Sequence, residues 1–163
     1  MWSSQHKIDP ESEEAMAEVA SELWPPSPYL FHVFSSRTGL WEERPFLRDG
    51  EAAGTIGDVG LGKPLQSAYW GQALYVLCSN SFILRISLSK DEYQVIRIPA
   101  DADVKSIGKS EKGLYIAGYA DDSCLKVWVL NESCHEHEWV LRHNKELRLE
   151  LPLCYLNKQS CGP

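Results

Sequence analysis

The chain has 163 residues, of which 44% are hydrophobic and 24% charged. That balance suits one globular domain, or part of a larger repetitive one, and excludes a highly charged disordered segment. A formal net charge of −7 excludes the clustered Lys and Arg of a phosphate-binding surface, so no nucleic-acid partner is expected.

In chain order, residues 1–28 form an acidic arm. Asp9, Glu11, Glu13, Glu14, Glu18 and Glu22 face only Lys7 there, so the arm carries about −5 and the remaining body about −2. Met1–Lys7 lacks the apolar core of a signal peptide. No apolar run nears the roughly 20 residues that span a bilayer. A cytoplasmic or nuclear location follows as the expectation, with no membrane partner. The five cysteines (Cys78, Cys124, Cys134, Cys154, Cys161) are then read as free thiols, and the sequon Asn131-Glu132-Ser133 stays unused. Residues 10–24 read as a short helix: Pro10 suits the first turn, early acids suit the positive end of the dipole, and Met16, Val19, Ala20 and Leu23 make a narrow apolar stripe. Pro25-Pro26-Ser27-Pro28 stops it.

From Tyr29 onward the pattern is strand and turn. Tyr29–Ser35 and Trp41–Leu47 make a hairpin around Arg37-Thr38-Gly39, and residues 49–64 are a Gly-rich loop. Four strands follow over 65–98 (Leu65–Trp70, Ala73–Cys78, Phe82–Leu88, Glu92–Ile98). After a linker at Pro99–Asp103 come four more over 104–144 (Val104–Gly108, Gly113–Tyr119, Cys124–Leu130, Glu138–His143). The tail, 146–163, holds one further strand candidate at Leu147–Leu151.

The two four-strand groups form a weak internal repeat. Ala73-Leu74-Tyr75-Val76 lines up with Gly113-Leu114-Tyr115-Ile116, Arg85-Ile86-Ser87-Leu88 with Lys126-Val127-Trp128-Val129, and Glu92-Tyr93 with Glu138-Trp139. The hairpin fits the second half of the same unit, so that Trp41, Tyr93 and Trp139 recur near the start of each outer strand. Four antiparallel strands per 40–50 residues is the pattern of a propeller blade, because one small twisted sheet hides both faces only when others stack on it. The predicted fold is all-β, about two and a half propeller-type blades (half blade 29–48, blade 65–98, blade 104–144) with a short N-terminal helix. A β-sandwich of look-alike hairpins is the alternative.

Three stretches carry a family resemblance. Ser35-Ser36-Arg37-Thr38-Gly39-Leu40-Trp41-Glu42-Glu43-Arg44 resembles a segment of the F-box-associated β-propeller domains of grass F-box proteins. So do Tyr69-Trp70-Gly71-Gln72-Ala73-Leu74-Tyr75-Val76 with Leu84-Arg85-Ile86-Ser87-Leu88-Ser89, and Gly108-Lys109-Ser110-Glu111-Lys112-Gly113-Leu114-Tyr115 with Val127-Trp128-Val129-Leu130-Asn131-Glu132-Ser133 and Glu138-Trp139-Val140-Leu141. Together they cover roughly residues 29–145 in family order. The resemblance implies a non-catalytic substrate-recognition module of a cullin-type ubiquitin ligase that binds a protein target. The ligase core is a partner only if an F-box is supplied elsewhere, since the resemblance includes none. It assigns no contact residues.

Other chemistry is weaker. Gly57-Asp58-Val59-Gly60-Leu61-Gly62-Lys63-Pro64 has phosphate-loop spacing, but Pro64 stands where the magnesium-binding hydroxyl belongs, so the stretch is read as a flexible connection. Cys134-His135-Glu136-His137, with Cys124 across a hairpin and His143 nearby, has the residue types of a zinc site, but a solvated loop explains it without metal. His32 lies among aromatics and reads as a packed histidine. Glu42 and Glu43 point to opposite faces, and Asp121-Asp122 is a turn. The expectation is no catalytic, cofactor or metal residue, and no enzyme. The rival to a binding module is a truncated or vestigial relative that self-associates through open sheet edges.

Overall fold

The computed structural model describes residues 10–59, 64–78, 82–100, 103–120, 124–132 and 137–146. The chain is mostly β, with curled sheets and little helix. In order, the elements are α1 (Pro10–Ser21), β1 (Leu23–Trp24), β2 (Tyr29–Ser35), β3 (Leu40–Arg48), β4 (Gly54–Thr55), α2 (Ile56–Val59), β5 (Pro64–Trp70), β6 (Ala73–Cys78), β7 (Phe82–Ser87), β8 (Glu92–Arg97), β9 (Asp103–Ser110), β10 (Gly113–Ala120), β11 (Cys124–Asn131) and β12 (Glu138–Glu146). The strand candidates of the sequence thus recur within a few residues at each end. Leu147–Leu151 lies outside the described residues. Among those described, no helix is long and apolar enough to cross a membrane.

Strands β5 to β8 form an antiparallel meander, and so do β9 to β12. In the first meander alternation divides the side chains cleanly between two faces. Ala73, Tyr75, Leu77, Ile83 and Ile96 face the second sheet and pack there on Val104, Ile107, Leu114, Ile116, Trp128 and Leu130. Val76, Cys78, Phe82, Leu84, Ile86 and Tyr93 face the opposite way, toward Phe46, Tyr29, Phe31, Val33 and Trp24. The first sheet is therefore the middle layer.

The covering layer on that far side is the β2–β3 hairpin. The sequence treats it as half of a separate unit. In the structure it continues the first sheet, because Leu47 and Arg48 pair in parallel with Glu92 and Tyr93 of β8. The Leu47 and Asp49 amides donate to the carbonyls of Asp91 and Tyr93, at 2.9 and 2.8 Å. Arg44 holds the turn before β8 through the Asp91 carboxylate and, at 3.2 Å, the Leu88 carbonyl. Curling brings Tyr29, Phe31 and Phe46 inward as an edge-to-face chain, 4.5 and 5.0 Å between successive ring centroids.

The arm is anchored at its end rather than along its helix. Trp24 meets Tyr29 edge to face, and the Ala53 amide donates to the Trp24 carbonyl at 2.9 Å. The Tyr93 hydroxyl and an Arg48 nitrogen donate to the Pro26 and Pro25 carbonyls, both at 2.6 Å. The expected apolar stripe does not pack on the body: Met16, Val19 and Leu23 are exposed. Only Ala20 is half-buried, beside Gly57 of α2.

Two further expectations need correction. Residues 49–64 are not wholly loop, since they contain β4 and α2. Thr55 and Asp58 cap α2 reciprocally: the Thr55 hydroxyl donates to Asp58 Oδ2 at 2.8 Å, and the Asp58 amide donates back to Thr55 Oγ1 at 3.2 Å. The Thr55 hydroxyl and then the Thr55 amide, which donates to Asp58 Oδ2 at 3.1 Å, hold Asp58 below the ordinary carboxylate range. Gly57-Asp58-Val59 is thus already helical where a phosphate loop needs open backbone; residues 60–63 lie outside the described chain. The repeat also slips in its third strand. Arg85 stands opposite Tyr75, but the residue opposite Tyr115 is Val129, so Val129 rather than Lys126 is the counterpart of Arg85. The cause is the longer second hairpin: β10 and β11 each run two residues further than β6 and β7 before the chain turns back. The fourth strands keep the expected alignment, Gln94 opposite Arg85 and Val140 opposite Val129.

Candidate functional site

One polar column of the first sheet faces the second sheet, and a cleft forms around it. Tyr75, Arg85 and Gln94 sit side by side on β6, β7 and β8. Arg85 is the one charged residue of β7, whose other positions are all buried. Across the gap, the segment joining β11 to β12 contributes Glu132 and His137. The Tyr75 hydroxyl donates to the Glu132 carboxylate and accepts from Arg85 Nε at 3.2 Å. Arg85 lies 3.7 Å from the same carboxylate, and His137 Nε2 lies 3.9 Å from it. Gln94 accepts from Arg85 at 3.4 Å and donates to Asp49 at 2.6 Å.

The open cleft has a volume of about 620 Å³, bordered by Asp49, Gly50 and Glu51 after β3, Lys90 before β8, and Glu132 and His137 between β11 and β12, with Arg85 and Gln94 as its floor. Three acids and three basic groups line it, so it matches both donors and acceptors rather than a single charge. Burial and then the Glu132 bond push the Tyr75 phenol up to about 12, which keeps it a neutral donor. Burial lowers the His137 pKa below its ordinary value of 6.5, and the Arg85 charge adds to this, while Glu132 opposes it.

The sheets are joined elsewhere by Gln66 and Trp139. Gln66 Oε1 accepts from the Ile107 amide at 3.1 Å and from the Ser106 hydroxyl at 3.0 Å. The Trp139 indole donates to the Arg97 carbonyl at 2.9 Å. The three aromatics that seemed equivalent therefore differ: Tyr93 is fully buried, Trp139 bridges the sheets, and Trp41 is 69% exposed.

The zinc-type residues do not converge as the sequence suggests. Cys124 pairs with Glu146, whereas Asn131 pairs with Glu138 beside His137. Seven residues of extended strand, about 23 Å, separate the two ends, and the Cys124 thiol bonds Asn144 instead. His143 lies opposite Val127, also partway from that end. Cys134, His135 and Asp121-Asp122 lie outside the described residues. Among those described, no three metal-ligand side chains come together. His32 is not packed: its side chain is 72% exposed, 3.9 Å from Glu43, because Tyr29, Phe31 and Val33 take the inner face of β2 and alternation turns His32 out. Of the cleft residues, sequence reasoning singles out only His137, and for a different role. The available signal was a lone arginine in an apolar strand, since such a charge needs a partner.

No known family model, no curated protein and no solved structure matches this chain.

Proposed function

We propose that this chain is a non-catalytic protein-binding module, a partial propeller of the F-box-associated type that recognises a protein target through the segments connecting its strands. The observation that carries the reading is the origin of the cleft border. Asp49–Glu51, Lys90, Glu132 and His137 all belong to connections between strands, set on a floor of β residues. Connecting segments held by a sheet scaffold are where binding residues concentrate. The mixed charge suits a polar protein segment rather than an apolar ligand, and the quoted resemblance supplies the target class. Delivery to a ubiquitin-ligase core requires an F-box from another chain or segment.

Capture from plant-cell extract, comparing the intact chain with a Lys90→Glu/Glu132→Gln variant, tests this reading. The expected result is a discrete protein retained by the intact chain and lost from the variant. Retention that is indifferent to both substitutions would overturn it.

A second reading, self-association through an open edge, draws on β2. It is an edge strand of the six-stranded sheet, and its sequence, Tyr-Leu-Phe-His-Val-Phe-Ser, carries no acid, Lys or Arg. Such an edge lacks the charges that normally block pairing with other chains.

A further inference from the structure

Among the described residues, two apolar faces terminate the stack of layers, one at each end. At the hairpin end, alternation turns Leu30, Phe34, Trp41 and Leu47 outward. Each is at least half exposed, and the Phe34 and Trp41 rings lie 5.3 Å apart in a tilted pair. At the other end, the outer face of the second sheet carries Tyr115, Ala117, Val127, Val129 and Val140, the residues alternate to those packed on the first sheet. A groove of about 430 Å³ crosses this face, and all its lining residues come from the second sheet and its turn: Lys112, Tyr115, Val129, Arg142 and His143.

The two faces cannot meet within one chain. The first sheet lies between them, and with sheets about 10 Å apart the ends of the stack are separated by about 20 Å. Their charges are complementary. Glu43 stands on the hairpin's outer face beside His32, opposite it across the strands. The groove has Lys112 and Arg142 on its border and no acid among its lining residues. Each end thus has the apolar surface and the charge to receive the other end of a neighbour.

We infer that the occupant of both faces is a second copy of this chain, the outer face of one hairpin lying on the outer face of the other copy's second sheet. Such a contact is heterologous: it gives a ring where the rotation between copies closes and an open head-to-tail series where it does not. It continues between chains the face-to-face packing already present within one, and it uses sheet faces rather than the β2 edge.

Light scattering of the full chain over a wide concentration range is the experiment, with Glu43→Lys, Arg142→Glu and Trp41→Ala compared against the original. All three residues are exposed, so folding should survive, and circular dichroism checks that it does. The mass should rise toward a multiple of 18.4 kDa. Each single charge reversal should shift the midpoint about tenfold to higher concentration, as attraction becomes repulsion. Trp41→Ala should weaken association by a similar factor, as loss of a central aromatic does. An equimolar mixture of Glu43→Lys and Arg142→Glu should bring the midpoint back toward that of the original chain, below that of either variant alone. A monomer at every concentration would overturn the proposal. So would association untouched by Arg142→Glu, the result expected of pairing along β2. Lys90 and Glu132 lie outside both faces, so the cleft variants leave association intact and a failed cleft reading stays separable.

Discussion

The first and second sheets are meanders of four strands in the same order, yet they live in different surroundings. The first is enclosed on both faces, by the second sheet on one side and by the hairpin and arm on the other. Among the described residues, the second packs another sheet on one face only. Tyr75 and Tyr115 make the contrast concrete, being forty residues apart at matching places in β6 and β10. Tyr75 is fully buried, with its hydroxyl tied to Glu132 and Arg85, whereas Tyr115 lies half-buried on the outer groove. A repeated sequence unit therefore does not yield a repeated environment: position in the stack decides which side chains carry stability and which stay free to bind.

The largest expected effect follows from that pair. Tyr75→Ala should cost about 3–5 kcal/mol in urea denaturation, as large-to-small changes of aromatic core residues do. Tyr115→Ala should cost about 1 kcal/mol, the centre of the range for ordinary substitutions. Equal losses would break the contrast between the sheets.

A backbone test inside the second sheet comes next. A Cβ on Gly118 would lie 2.3 Å from the Asp103 carbonyl oxygen, beside the bulge that skips Lys105 of β9, whereas one on Gly108 would meet nothing within 4 Å. Gly118→Ala should cost about 2–3 kcal/mol by overpacking. Gly108→Ala should stay within about 0.5 kcal/mol in the same denaturation series.

The junction between the sheets should respond to acid. The His137 pKa is lowered in the folded state, so between that value and its ordinary one the unfolded chain binds more protons. Its contribution is then fully present above the ordinary value of 6.5 and is lost as pH falls below it toward the folded value. Melting temperature followed from pH 7.5 to 5.5 (both values set by about one unit either side of an ordinary histidine) should fall less steeply for His137→Gln than for the original chain. Parallel slopes would remove His137 from the junction.

The smallest effect concerns the turn between β5 and β6. Gly71 and Gln72 both have positive φ, 55° and 65°, the geometry of a two-residue hairpin turn that disfavours a side chain at Gln72. Gln72→Gly should stabilise by about 0.5–1 kcal/mol, seen as a higher denaturation midpoint.

Strand positions were largely legible in the sequence, because Gly71-Gln72, Ser89-Lys90-Asp91 and Pro99 mark turns and the intervening runs have strand composition. The half-buried alternation of β2 was equally plain, although its consequence for His32 was not: which parity faces inward depends on how the hairpin curls. That curl rests on Arg44 reaching Asp91 and on a two-residue parallel pairing, contacts between residues some 44–47 positions apart that no local pattern encodes. The slip between Arg85 and Lys126 arose likewise from the extra length of the β10–β11 hairpin, which matching short segments does not register. The cleft was barely legible. Glu132 was read as part of a sequon and Arg85 as part of a repeat, and only folding places them on either side of Tyr75.

Hydrogen exchange of individual backbone amides at low protein concentration tests the unequal enclosure of the two sheets most directly. Two-sided cover predicts that the amides of β6 and β7 exchange only through global unfolding, while those of β11 and β12 exchange faster through local opening. Equal protection of the two sheets in the monomer would contradict it.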